Sequence, residues 1–231
     1  METEFVLFDF DGVIANTEES NAAYLEKALS AFGIQLTDDD RKALIGTNDK
    51  TRIESLLSRS LVKVTAEDLA GKRRQVGNTY ENSCIRPMPG VVSLIQEIRG
   101  RGIKTGLVTS TSTRLIMIAL NRMRMTALFD VVICGDMCAN HKPDPECYKK
   151  AMDYLGAEPC KCIVFEDSAV GIHAARLAGA RVAAYRGSGI QQDVSEADLI
   201  VDSYDECKDM LDDIMQGKIT QGRITQLSLI H

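Results

Sequence analysis

Short, uninterrupted apolar runs separated by stretches of helical periodicity restrict this chain to a narrow set of architectures. The runs are Phe5-Val6-Leu7-Phe8, Gly106-Leu107-Val108, Val131-Val132-Ile133, Ile163-Val164-Phe165 and Val182-Ala183-Ala184, with Leu199-Ile200-Val201 as a weaker sixth. Helical patterns lie between most of them, at Val91 to Arg99, Thr113 to Met125, Pro145 to Leu155 and Ala169 to Ala178. A strand that is apolar on both faces must be covered on both faces, so the expected fold is α/β, a parallel sheet flanked by helices.

One interval breaks the rhythm. From about Thr17 to Arg86 there are helical spacings, such as Ala22, Leu25, Leu29 and Phe32, but no convincing strand. It reads as an all-helical insert that ends at the turn cluster Pro87-Met88-Pro89-Gly90. The expected organisation is a core of residues 1–16 and 87–214, a helical cap of 17–86 and a tail of 215–231. A cap rooted just after the first strand suits a site that admits substrate and then excludes water. The tail carries a tandem repeat, Gly217-Lys218-Ile219-Thr220-Gln221 and Gly222-Arg223-Ile224-Thr225-Gln226, which reads as a disordered or packing extension.

In open parallel sheets, ligands bind beyond the carboxyl ends of the strands, where the strand order switches. The residues closing each run therefore matter most. They are Asp9-Phe10-Asp11-Gly12 after the first, Thr109-Ser110 after the second, His141-Lys142-Pro143 reached through Asp136 after the third, and Glu166-Asp167-Ser168 after the fourth. Asp9 and Asp11 are two apart and leave an extended backbone on one face. Together with Glu166 and Asp167 they would repel one another without a cation, and an all-oxygen set suits a hard ion such as Mg2+. A carboxylate can attack phosphorus and split one displacement into two easier steps. A second carboxyl can then serve as acid and base, while a lysine and a hydroxyl neutralise the phosphoryl oxygens.

Asp9-Phe10-Asp11-Gly12-Val13, Thr109-Ser110, Lys142-Pro143 and Glu166-Asp167-Ser168 resemble, in order and spacing, the four motifs of the haloacid dehalogenase-like phosphatases. With Pro89-Gly90-Val91 and Glu166 to Ile172, the chain is most similar to the helical-capped branch that contains beta-phosphoglucomutase and phosphoglycolate phosphatase. The resemblance runs from about Phe5 to Asp205 and implies a Rossmann-like core with an inserted all-helical cap. It implies Asp9 as nucleophile and metal ligand, and Asp11 as acid/base with its carbonyl on the metal. Thr109 and Lys142 would grip the phosphoryl group, and Glu166 and Asp167 would complete the Mg2+ shell.

The chain departs from the mutase pattern in the cap. Mutase-like relatives carry a histidine near Asn21 and an arginine near Asp49, and both are absent. Asn21, Ser110, Arg52 and Arg74 are the expected substrate contacts, with Lys50, Lys72 and Arg73 as further candidates for the missing cap cation. Asp11 argues against dehalogenase or phosphonatase chemistry. The expected activity is Mg2+-dependent hydrolysis of a small phosphorylated metabolite through an aspartyl-phosphate. The alternatives are a beta-phosphoglucomutase-like isomerase and a non-catalytic protein that binds a sugar phosphate.

The formal net charge of -6 opposes long-range attraction to a phosphate backbone, so nucleic acid is not an expected partner. No apolar stretch is long enough to span a bilayer. Seven irregularly spaced cysteines point to a reducing, cytoplasmic setting rather than a disulfide framework. Cys134, Cys138 and His141 lack a clear fourth zinc ligand and read as buried thiols and a loop residue. His173 reads as structural and His231 as terminal, and oligomeric state is not legible.

Overall fold

The computed structural model describes residues 2–44 and 50–218, with the side chains of Lys42, Ala43 and Lys50 outside the description. Asp49, most of the tail repeat and His231 therefore lie outside the described residues. The chain divides into two compact units, one of residues 1–16 and 86–231 and one of Thr17–Ile85.

In chain order, the first unit opens with β1 (Phe5–Phe8). The second unit is helical, with α1 (Glu18–Ser30), α2 (Asp38–Leu44), α3 (Lys50–Leu57), α4 (Ala66–Val76) and α5 (Thr79–Asn82). Its core is aliphatic: Ala28, Leu29, Ile34, Leu36, Leu44, Leu56, Leu57 and Leu69 are buried together. Burying each large aliphatic side chain is worth about 1.5–3 kcal/mol, which is the main source of stability for a unit this small. Local signals set its helix starts. Thr65 accepts from the Asp68 amide while the Asp68 carboxylate accepts from the Thr65 amide, a reciprocal cap on α4. Asp40 receives a two-pronged guanidinium pair from Arg59, at 2.6 and 2.9 Å.

The chain re-enters the first unit through α6 (Val91–Gly100), β2 (Lys104–Val108), α7 (Thr113–Met123), β3 (Val131–Ile133), α8 (Glu146–Leu155), β4 (Cys162–Glu166), α9 (Ala169–Leu177), β5 (Arg181–Tyr185), β6 (Leu199–Val201), α10 (Tyr204–Asp209) and α11 (Leu211–Met215). The six strands form one sheet in the order β3-β2-β1-β4-β5-β6, and every pairing is parallel. The first three strands step outward to one side, and β4 returns to the other side of β1. The switch in strand order therefore falls between β1 and β4.

All six apolar runs are strands; the central ones are covered on both faces, with Val6, Leu7, Phe8, Val164 and Phe165 wholly inaccessible, whereas Val131 and Val132 of the edge strand β3 and Ile200 of the edge strand β6 are half-buried. Beneath one face, Tyr148, Met152, Ile172 and Ala175 pack with Leu7, Val108 and Val164. On the sheet's aromatic side, Phe8 stacks on Phe165 with ring centres 5.0 Å apart, Phe165 meets Tyr204 at 6.2 Å, and Tyr204 stacks on Tyr185 at 4.2 Å. The Tyr204 hydroxyl donates to the Val13 carbonyl at 2.8 Å, so this ladder also anchors the loop that follows Asp11.

One helix boundary differs from expectation. The pattern predicts α7 to run to Met125, but it stops at Met123 because Arg124 adopts a left-handed conformation (φ 58°) and closes the helix. A glycine or asparagine would have advertised that stop, and an arginine does not. Among the described residues, no helix is long and apolar enough to cross a membrane.

Candidate active site

The register of the sheet builds the site. Phe8 pairs with Phe165, so the next residues on the two central strands, Asp9 and Glu166, emerge side by side at the switch point. The Asp9 amide donates to the Phe165 carbonyl at 2.9 Å and extends the pairing by one residue. Carboxylate oxygens of Asp9, Glu166 and Asp167 all lie within 4.8 Å of one another. Such a group, made of oxygens alone, fits a hard divalent cation.

Lys142 supplies the counter-charge from the loop after β3. Its ammonium donates to Asp9 Oδ1 at 2.6 Å and to Glu166 Oε1 at 2.7 Å, with a third bond to the Val108 carbonyl at 3.2 Å. Only 5% of the Lys142 side chain is exposed and none of Glu166, so these are charges taken out of water. Burial works against the ammonium, yet Asp9 and Glu166 hold its pKa well above the ordinary lysine value. Burial raises Asp9 well above the ordinary aspartate value, with the Lys142 charge opposing and Glu166 and Asp11 adding to the rise. Burial would also raise Glu166, but Lys142 and the hydrogen bonds around the carboxylate bring it below the usual value.

Glu166 is the most heavily bonded member. Oε1 accepts from Lys142 and from the Tyr148 hydroxyl at 3.0 Å, while Oε2 accepts from the Asp167 amide, the Ser168 amide and the Ser168 hydroxyl, each at 3.0 Å. Five donors already exceed the roughly four lone-pair directions a carboxylate offers. Full metal ligation by Glu166, as expected from the sequence, would require it to give up one of these bonds. The turn is held at both ends: Ser168 Oγ caps α9 by accepting from the Gly171 amide at 3.1 Å. The capping role thus belongs to Ser168 rather than to the acidic pair. Gly171 is needed here because a Cβ would stand 1.7 Å from Glu166 Oε1.

Asp11 and Thr109 join from neighbouring loops. Thr109 is buried, its amide donating to the Ile133 carbonyl and its hydroxyl oxygen accepting from the Thr111 amide at 3.1 Å. Asp11 Oδ2 accepts from the Thr111 hydroxyl at 3.0 Å. Ser110 is exposed beside them. Asp136 is occupied elsewhere, accepting from the amide and hydroxyl of Thr113 at 2.9 and 2.6 Å. In the helical unit, Asn21 Oδ1 accepts from the Thr79 hydroxyl at 2.7 Å, and Arg52 and Arg74 stand on exposed faces of α3 and α4.

Sequence reasoning passed over Thr111, Tyr148 and the bonds made by Ser168. Thr111 sits inside the hydroxyl-rich run Thr109 to Thr113 and could have been suspected. Tyr148 looked like an ordinary apolar position of α8; its hydroxyl reaches Glu166 and its ring lies 4.8 Å beneath the Lys142 ammonium. Cys134 is a buried thiol whose pKa is pushed up to about 11 by desolvation. Among the described residues, the potential metal-holding group is the Asp9, Glu166 and Asp167 set, without Cys134, Cys138 or His141.

Gly12 has a strict requirement. Its φ is +81°, and a Cβ would lie 1.8 Å from Asp167 Oδ2. Gly12→Ala is expected to destabilise the protein by about 1–3 kcal/mol, since a methyl group forced into a full space has to move a neighbour. Chemical denaturation measures this, and an alanine variant as stable as the parent would contradict the packing described.

Residues 6–185 match the pattern of the family described as haloacid dehalogenase-like hydrolases. The phosphorylated carbohydrates phosphatase of Thermotoga maritima is 30% identical over 176 residues, 76% of this chain and 82% of its own. The N-acetylmuramic acid 6-phosphate phosphatase of Pseudomonas aeruginosa is 28% identical over 220 residues, 92% of this chain and 96% of its own. Among solved structures, CbbY from Rhodobacter sphaeroides in complex with phosphate is similar with a TM-score of 0.75 and 27% identity, over 90% of this chain and 96% of that one. The chain belongs to the haloacid dehalogenase-like hydrolases. Within them it falls in the branch with a helical insert after the first strand.

Proposed function

We propose that this protein is a phosphoric monoester hydrolase acting on a small phosphorylated metabolite, a sugar phosphate in the first instance, through an aspartyl-phosphate at Asp9. The observation that carries the reading is the meeting of Asp9 with Lys142, Glu166 and Asp167 at the strand-order switch. A bare carboxylate attacking a phosphate dianion needs that arrangement, because the repulsion between them has to be offset where the new bond forms.

In the first step an Asp9 carboxylate oxygen attacks phosphorus, the bond to the leaving oxygen breaks, and Asp11 delivers a proton to that oxygen. In the second, Asp11 takes a proton from water as the water oxygen attacks phosphorus and the bond from phosphorus to the Asp9 oxygen breaks, restoring the carboxylate and releasing inorganic phosphate. Lys142 keeps Asp9 in place and neutralises a phosphoryl oxygen. Thr109 already has its oxygen engaged by the Thr111 amide, so its proton is available to donate to the same group. Ser110, exposed on the same loop, adds a further donor.

Mg2+ fits the donor set, with Asp9 and Asp167 as principal side-chain ligands, the Asp11 carbonyl as a further one and Glu166 as the residue that steadies Lys142 and the turn. When bound, the ion supplies charge neutralisation that lets the acids and a phosphoryl group share one site. The names of the two phosphatase relatives support the sugar-phosphate class. Arg52, Arg74 and Asn21 of the helical unit are assigned to its recognition. The absence of the mutase histidine and arginine, at Asn21 and Asp49, favours hydrolysis over isomerisation.

A panel of sugar phosphates, phosphoglycolate, nucleotides and pyrophosphate, assayed for phosphate release with Mg2+ and with chelator, tests the reading. Release that depends on Mg2+ and is greatest with sugar phosphates is expected; no release from any ester, or release unaffected by chelator, would overturn it.

Thermal unfolding gives an independent check. An aspartate whose pKa is raised by folding costs stability once the pH climbs above the ordinary aspartate value, and the cost grows up to its raised value. A cation that binds ionised Asp9 removes that cost. Mg2+ is therefore expected to raise Tm, by the equivalent of about 2.7 kcal/mol at roughly 100 times its Kd, and to raise it more at neutral than at mildly acidic pH. An equal rise at both would contradict the assignment of Asp9 as a ligand.

A further inference from the structure

Thr111 makes two hydrogen bonds that connect two separate parts of the site. Its hydroxyl donates to Asp11 Oδ2 at 3.0 Å, across 100 residues of sequence. Its amide donates to Thr109 Oγ1 at 3.1 Å. The residue is itself pinned, because its carbonyl accepts from the Gly135 amide at 2.9 Å and a Cβ on Gly135 would stand 2.2 Å from the Ser110 carbonyl oxygen. The loop after β2 is thereby packed tightly against the turn after β3, and Thr111 cannot shift without breaking that contact.

We infer that Thr111 is a positioning residue for the acid/base chemistry, fixing the rotamer of Asp11 through its hydroxyl and the direction of the Thr109 proton through its amide. This rests on the proposed role of Asp11. An aspartate side chain has soft torsions at its terminal bond, and a carboxyl that swings loses alignment with the leaving oxygen. Held at Oδ2 by Thr111, the Asp11 carboxyl keeps its transferable proton aligned with the leaving oxygen. A proton in transit there matters only when the leaving oxygen is basic. An alkoxide needs it; a nitrophenolate departs well without it.

That difference separates positioning from mere support of the fold. Thr111→Val removes the hydroxyl while keeping the amide, the shape and the branching; Thr111→Ser restores the hydroxyl. The full-length protein with Mg2+ is assayed on beta-glycerophosphate and on para-nitrophenyl phosphate, and kcat/KM is compared because it reports the step in which the ester bond breaks. Thr111→Val is expected to lose about ten- to a hundredfold on the alkyl ester and little on the aryl ester, with Thr111→Ser close to the parent on both. Asp11→Asn is run alongside and is expected to show the same selectivity more strongly. Equal losses on the two esters, or no loss, in Thr111→Val while Asp11→Asn is selective would overturn the role of Thr111 and leave that of Asp11 standing. An Asp11→Asn enzyme without selectivity would remove the acid role itself, and the inference with it. If valine prevents folding, Thr111→Ala is read by the same ratio.

Discussion

Asp9→Asn is expected to lower phosphate release at least about ten-thousandfold while the protein remains folded with nearly unchanged stability. The two parts of that expectation come from different physics. Activity falls because an amide oxygen is a poor nucleophile toward phosphorus and the covalent route has no other carboxylate in the same place. Stability holds because asparagine has the same shape, can still accept from Lys142, and removes one negative charge from a group in which Glu166 and Asp11 oppose the ionisation of Asp9. A stability change within about 1 kcal/mol is anticipated. Chemical denaturation and a phosphate-release assay on the same preparation measure both. A variant that keeps a tenth of the parent's activity would rule out Asp9 as the nucleophile.

Lys142→Met should damage stability as well as turnover. The lysine is the buried counter-charge shared by Asp9 and Glu166, and methionine leaves both carboxylates facing one another in a space nearly closed to water. Removing one partner of a buried ion pair typically costs about 3–5 kcal/mol. The second effect is a loss of about a hundred- to a thousandfold in kcat, the scale seen when one preorganised donor to a developing charge is deleted. Glu166→Gln placed on top of Lys142→Met gives the discriminating result. The double variant is expected to recover part of the lost stability and none of the lost activity, because the repulsion is relieved and the phosphoryl donor is still missing. Additive losses of stability in the double variant would show that Glu166 and Asp9 do not repel one another once Lys142 is gone.

How far the sequence carried these conclusions depended on the kind of signal. Strands covered on both faces leave continuous apolar runs, and the half-buried three-residue edge strands β3 and β6 keep such a run as well, so they too were legible. The acids could be read because they close those runs at the edge where a parallel sheet binds its ligands; Asp9 and Glu166 follow directly from the Phe8 and Phe165 register. What escaped were side chains whose part is set by orientation. Tyr148 occupies an apolar position of α8, and only the packing of that helix against β2 and β3 brings its hydroxyl to Glu166. Thr111 is one hydroxyl among several in its loop. The over-satisfied state of Glu166 could not be anticipated either, because three of its five donors come from the turn it begins.

The most direct measurement is to trap the covalent species. Enzyme turning over a phosphate ester with Mg2+ is quenched and treated with borohydride, which reduces an acyl phosphate to an alcohol, and the peptides are sequenced by mass spectrometry. Conversion of Asp9, and of no other carboxylate, to homoserine in a substrate-dependent manner is the predicted result. Rapid turnover with Asp9 unmodified, or modification at a different acid, would contradict the account.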